Sequence, residues 1–168
     1  MDWGLIEPRN TMSSYSLPEG LSYVPVKFMD DNGVVRDRRP GRPVVQVVLR
    51  YAQDAQAKAQ APENPNPTYA LLDTGADYNY GTAEAISMAQ CPQIGTSTTR
   101  CNAGSIASTQ HRCHIYFPEA KVQLETDIFS VPLRNSSATE DLVVGMLTIE
   151  CGALVLDFKK DIYRLYLG

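Results

Sequence analysis

The sequence predicts a mainly β domain with one or two short helices, and three observations carry that prediction. Short runs rich in β-branched and aromatic residues recur along the chain, bounded by Gly, Pro, Asn and Asp. The C-terminal stretch splits into two alternating runs around Lys159-Lys160-Asp161, the pattern of a hairpin. Helical signals are confined to short stretches, and there is no internal repeat. The 168 residues suit one domain of ordinary size, or one compact domain with an extension.

Taken in order, residues 1–20 are polar, carry Pro8, Ser13, Ser14, Ser16 and Pro18, and show neither a helical nor an alternating apolar period. They read as an arm or leader. Tyr23 to Phe28, the turn Asp31-Asn32-Gly33 and Val34-Val35 predict a hairpin over 23–36, because Asn-Gly supplies the positive φ that a tight turn needs. Residues 1–43 are therefore expected to form an N-terminal extension, with the main domain over 44–168. Pro43 to Tyr51 is rich in valine and reads as a firm strand. Ala52 to Pro67 contains Pro62, Pro65 and Pro67, so an exposed inserted loop is expected over 52–67, with at most a short Ala-rich helical turn. Tyr69 to Leu72 is an apolar strand running into Asp73-Thr74-Gly75-Ala76-Asp77, and a short helix is expected from Thr82, its cap, to Met88. Further strands are expected at His114–Phe117, Val122–Leu124, Ile128–Val131 and Leu142–Val144. Ala153–Phe158 and Ile162–Leu167 form the terminal hairpin.

Net charge is -4 and the longest basic cluster is Arg36-Asp37-Arg38-Arg39, which argues against a nucleic-acid partner. No apolar run approaches the roughly 20 residues that span a bilayer, and Met1-Asp2-Trp3-Gly4 lacks the basic-then-apolar order of a signal peptide. A soluble cytoplasmic protein with no membrane partner is expected. Cys91, Cys101, Cys113 and Cys151 form no CxxC pair, so neither a zinc ribbon nor a thioredoxin-like site is indicated. Reduced thiols fit a cytosolic location, although an even count permits two bridges whose pairing the sequence does not fix. Trp3 and the nine tyrosines are scattered, as core and interface packing requires.

Asp73 ends an apolar strand and is followed at once by Thr74 and Gly75. This puts a carboxylate on a tight turn with a hydrophobic floor, where Gly75 permits close backbone approach and the Thr74 hydroxyl can hold the turn. The stretch Ala70-Leu71-Leu72-Asp73-Thr74-Gly75-Ala76-Asp77 resembles the active-site segment of retropepsins, the retroviral-type aspartic proteases, and of their bacterial single-DTG relatives. Leu142-Val143-Val144-Gly145-Met146-Leu147 is similar to the family's second segment, which packs under the catalytic turn, with glycine where the backbone passes close. Thr98 to Ser105 stands where the family carries its flap. The resemblance runs from about Pro43 to Leu167. Two departures are visible: Tyr78-Asn79-Tyr80-Gly81 replaces the usual Ser or Thr with aliphatic residues, and Met146 stands where retroviral members have Arg.

The resemblance implies a closed β-barrel, one half of an acid protease, active as a symmetric homodimer on a polypeptide substrate without cofactor or metal. Asp73 would be catalytic, with Thr74 and Gly75 fixing its geometry, and Ala76, Asp77, Ala103, Gly104 and Ser105 would bind the substrate backbone. Two carboxylates must share a proton, one acting as base on water and the other as acid, and a chain with a single such turn obtains the second from its copy. One rival reading keeps the fold as an inactive dimerisation or peptide-binding module. A second is a metal site from Cys101, His111, Cys113 and His114, weakened because strand alternation puts 111 and 113 on one face and 114 on the other. A third, a nucleophilic Cys113 paired with His111 or His114, lacks an orienting third group.

Overall fold

The computed structural model describes residues 15–54, 57, 60–62, 66–101, 104–133 and 140–168. Within them the chain forms β1 (Ser22–Pro25), β2 (Lys27–Met29), β3 (Val35–Arg36), β4 (Arg42–Arg50), β5 (Thr68–Leu72), β6 (Asn79–Gly81) and α1 (Ala83–Met88). There follow β7 (Gln93–Cys101), β8 (Gly104–Phe117), β9 (Val122–Ser130), β10 (Leu142–Val144), α2 (Met146–Ile149), β11 (Gly152–Asp157) and β12 (Ile162–Leu167). Among the described residues no helix is long and apolar enough to cross a membrane.

The larger sheet runs β3-β2-β4-β5-β10-β6-β9-β8-β7, and a further pairing of β4 with β8 closes it. Val48, Leu49 and Arg50 lie opposite Tyr116, Ile115 and His114 at that seam. The closed ring is therefore β4-β5-β10-β6-β9-β8, with parallel pairing where β10 meets β5 and where β6 meets β9. Closure removes the exposed edges that an open sheet would leave on these strands. A smaller sheet, β1-β12-β11, packs on the ring.

The N-terminal segment enters this architecture earlier than its composition suggests. The hairpin predicted over 23–36 is built from β2 and β3 alone, with Gly33 at φ 78° and the Asp30 carboxylate accepting from Asn32 N and Val34 N at 3.0 Å each. Tyr23 and its neighbours pair instead with β12, Ser22 opposite Leu167 and Pro25 opposite Arg164. The chain changes sheets at Val26, whose N–H donates to Tyr163 O at 3.0 Å. The alternation survives the change: Val24, Val26 and Phe28 are all buried, at 0%, 2% and 2% exposure. Ser22–Met29 is thus part of the packed sheets rather than an arm, because Val24 and Val26 enter the main buried cluster and Phe28 is buried against the Tyr163 ring.

Two expected runs, Val122–Leu124 and Ile128–Val131, join into the single strand β9. The polar residues between them face their pairing partners on β8: Arg112 stands opposite Asp127, and its guanidinium meets Asp127 Oδ1 at 2.6 Å and Glu125 Oε1 at 3.2 Å. Helix α1 begins at its expected cap, the Thr82 hydroxyl accepting from Ala85 N at 3.2 Å. In the 52–67 segment, the Arg50 guanidinium donates to Ala57 O at 3.1 Å and to Gln60 O at 2.5 Å, tying that chain back to the end of β4.

Val45, Val47, Ala70, Leu72, Phe117 and Leu165 belong to one buried cluster filled from both sheets. Phe117 is fully buried there. Replacing it with alanine should lower unfolding stability by about 3–5 kcal/mol in a denaturant titration, through lost burial and the cavity left behind.

Candidate active site

The turn after β5 is held by its own backbone and by the segment that follows β10. Asp73 N donates to Val144 O at 3.1 Å, continuing the parallel pairing of Leu72 with Val144, and Ala76 N donates to Asp73 O at 3.2 Å. The Asp73 carboxylate folds over the turn, its Oδ1 accepting from Gly75 N at 2.8 Å. A Cβ at Gly75 would sit 3.2 Å from that same oxygen, so a side chain there would crowd the carboxylate. Asp73 is half-buried, whereas Thr74, Gly75 and Asp77 are exposed. In the single chain the turn faces outward.

Two carbonyls of the turn are fixed by α2. Met146 N donates to Ala76 O at 2.7 Å and Leu147 N to Asp77 O at 3.0 Å, so the first turn of the helix caps the acidic loop. This requires backbone to pass against backbone at Gly145, where a Cβ would meet Tyr78 O at 2.1 Å and Ala76 O at 2.6 Å. Only glycine fits that gap. The glycine expected here for close backbone approach meets the carbonyls of Tyr78 and Ala76.

Asn79 was visible in the sequence only as a departure from the family pattern, and the structure gives it a central place. It is fully buried, and its amide joins three elements. Oδ1 accepts from Gly145 N at 3.1 Å and from Thr148 Oγ1 at 2.9 Å, while Nδ2 donates to Thr126 Oγ1 at 3.0 Å and Asp127 O at 3.3 Å. Each polar atom of the amide is therefore satisfied without water.

The neighbouring departures form an aromatic wall. Tyr78 packs on Phe129 with ring centroids 5.0 Å apart, and Tyr80 reaches the same ring at 6.3 Å. Tyr78 is 47% exposed, so this wall borders the surface beside the turn. Burial holds the Tyr80 phenol above its ordinary range, and the negative charge of Asp77, with smaller effects from Tyr78 and Asp73, pushes the same way. The Tyr80 hydroxyl is thus within electrostatic reach of both carboxylates.

Of the remaining expected residues, Gly104 and Ser105 lie at the end of the β7–β8 hairpin. Ser105 stands opposite Arg100 and Gly104 opposite Cys101, with Gly104 at φ 122°. Ala103 lies outside the described residues. Among the described residues no hydrogen bond or ion pair joins Gly104 or Ser105 to the Asp73 turn. Beneath this hairpin an open trough of about 590 Å³ runs between Thr96, Thr98, Ala107, Thr109 and Ser130. Its lining is hydroxyl-rich and carries no ionisable side chain.

The four residues considered for a metal are not brought together. Cys101 pairs with Gly104, seven positions along β8 from His111, a separation of about 23 Å at the ~3.3 Å rise of a strand. His111 is engaged by protein on both ring nitrogens, with Thr109 Oγ1 at 2.8 Å and Cys91 O at 2.9 Å. His114 faces the other way, its Nδ1 accepting from Ala52 N at 3.2 Å. Among the described residues no group of three His, Cys, Asp or Glu side chains is placed to hold an ion.

Asn79 supplies a direct test of how the turn is held. Asn79→Ala leaves Gly145 N and the Thr148 hydroxyl without their acceptor and should cost about 3 kcal/mol in chemical denaturation, whereas Tyr78→Ala, at a half-exposed position, should cost less than about 1.5 kcal/mol.

No protein-family model matches the sequence, and no curated protein matches it. Solved structures do. The EIAV protease complexed with the inhibitor HBY-793 is 18% identical, with 68% of this chain and 93% of that one covered at a TM-score of 0.44. A retropepsin-like aspartic protease from Rickettsia conorii is 12% identical, with 92% of this chain and 98% of that one covered at a TM-score of 0.50. Near-complete coverage of that structure, together with the closed ring and the turn clamped by β10 and α2, shows that the chain has a retropepsin-like fold.

Proposed function

We propose that the chain is an aspartic endopeptidase that acts as a symmetric homodimer, with the Asp73 carboxylate of each copy facing the other across a two-fold axis. The observation that carries this reading is the Asp73 turn itself, which is held by hydrogen bonds to the segment after β10 yet faces outward, in a sequence with a single Asp-Thr-Gly. A self-complementary contact across a two-fold axis brings identical groups together, and this is the economical way for one acidic turn to gain its partner.

In the pair, one carboxylate is ionised and the other protonated, since two adjacent negative charges are costly. The ionised Asp73 takes a proton from water as that water attacks the peptide carbonyl carbon, and the protonated Asp73 of the other copy gives its proton to the carbonyl oxygen. Collapse of the tetrahedral species breaks the C–N bond as the amine gains a proton. Thr74 and Gly75 hold the carboxylate, while Ala76 and Asp77 on one side and Ala103, Gly104 and Ser105 on the other bind an extended peptide as an added strand. The terminal sheet supports assembly, because β11 lies at its edge and offers unpaired backbone groups to a second copy.

Incubation of the purified protein with a mixed peptide library across a range of pH should give cleavage with a bell-shaped profile. Asp73→Asn should remove that cleavage while leaving the dimer intact in sedimentation. A strictly monomeric protein in the presence of cleaved peptide would overturn the proposal. Peptide binding without cleavage at any pH would assign the chain to a binding module instead.

A further inference from the structure

Two of the four cysteines face each other across the root of the β7–β8 hairpin, and the pairing follows from register. Gln93 stands opposite His111, so in an antiparallel ladder position 92 faces 112 and position 91 faces 113. Arg112 N donates to Pro92 O at 3.0 Å, which makes 92 and 112 a hydrogen-bonded pair. Cys91 lies just before β7, its own N–H donating to Ile86 O, and the same alignment carried one residue further would set it against Cys113 with Cα atoms about 4.5 Å apart, at the short end of the disulfide range. Both side chains belong to the same buried cluster.

We propose that Cys91 and Cys113 form a redox dithiol that closes to an intramolecular disulfide when the protein meets a peroxide. Cys113 is fully buried, whereas Cys91, 7% exposed, lines an open cavity of about 440 Å³ with Gln90, Thr109 and His111, the side from which a small oxidant would approach the pair. The interaction with Cys113 draws the Cys91 thiol down from its ordinary range, and the same interaction together with burial pushes Cys113 up, so Cys91 is the more readily ionised of the two.

The chemistry balances with hydrogen peroxide as the only co-reactant. The Cys91 thiolate attacks one peroxide oxygen, the O–O bond breaks, and Cys91 becomes a sulfenic acid as the departing hydroxide takes a proton to form water. Cys113 then attacks the Cys91 sulfur, forming the S–S bond, and the expelled hydroxide takes the Cys113 proton. Two thiols give up two electrons in all, and one peroxide becomes two waters.

Cross-strand bridges at such positions are strained, and strained bridges belong to the readily reduced class rather than the permanent one. Closure would pin the chain just after α1 to β8 and fix the root of the hairpin. The inference does not depend on peptide hydrolysis.

The test uses the full chain with Cys101→Ser and Cys151→Ser, so that only the pair remains. Before oxidation the denatured protein should accept two alkyl groups. After hydrogen peroxide it should accept none and weigh two hydrogen atoms less, with both sites restored by dithiothreitol. With Cys113→Ser added, Cys91 should stop at the sulfenic acid and be captured by a 1,3-diketone probe. Continued uptake of two alkyl groups after oxidation would overturn the proposal, as would oxygen addition at Cys91 with Cys113 still alkylated, or a bridge between copies. If the double serine background fails to fold, peptide mapping of the oxidised natural sequence must find Cys91 linked to Cys113, and any other linkage overturns it.

Discussion

The close passage of Gly145 against the carbonyls of Ala76 and Tyr78 is the constraint on which the rest of this structure depends. It lets β10 slide between β5 and β6, parallel to one and antiparallel to the other, and so completes the ring. It also brings the first N–H groups of α2 onto the Ala76 and Asp77 carbonyls. A helix start and an acidic turn each leave backbone polar groups without partners, and here each satisfies the other. The position of the Asp73 carboxylate is a consequence of that mutual satisfaction.

Asn79 stabilises the same junction from beneath. Its buried amide bridges β6, β9 and the entry to α2. A buried amide with every donor and acceptor matched gives one arrangement of these elements and penalises alternatives, since any slip leaves a polar group unpaired in an apolar setting. The aromatic residues on either side of it, Tyr78 and Tyr80, meet on Phe129 and complete a wall beside the turn. Tyr78, Asn79 and Tyr80, which depart from the family pattern, thus form a coherent alternative packing behind the same acidic loop.

Much of this was legible in the sequence, for identifiable reasons. Valine-rich β4, the alternating β11 and β12, and the Thr82 cap are local signals, and local signals survive folding. The Asp73 turn and Gly145 were recognisable because Ala70–Asp77 and Leu142–Leu147 resemble two retropepsin segments, and the structure packs these two segments against each other. What escaped was set by distant partners. The polar middle of β9 looked like a break because its Glu125 and Asp127 find Arg112 only after β8 is aligned beside them. The change of sheet at Val26 leaves no local mark, since the inward alternation continues through it. The role of Asn79 depends on Gly145 and Thr148, which lie far along the chain and approach only when the ring has closed.

The pairing of β1 with β12 sets Ser22 directly opposite Leu167. The two ends of the packed region therefore lie side by side, although the whole ring separates them along the chain. A short peptide joining them would span almost no distance, and new termini opened between β4 and β5, in the proline-bearing 52–67 segment, would cut none of the described strands. The architecture is in this sense indifferent to where the polypeptide starts, and its order of synthesis can be rewritten without changing which strands touch.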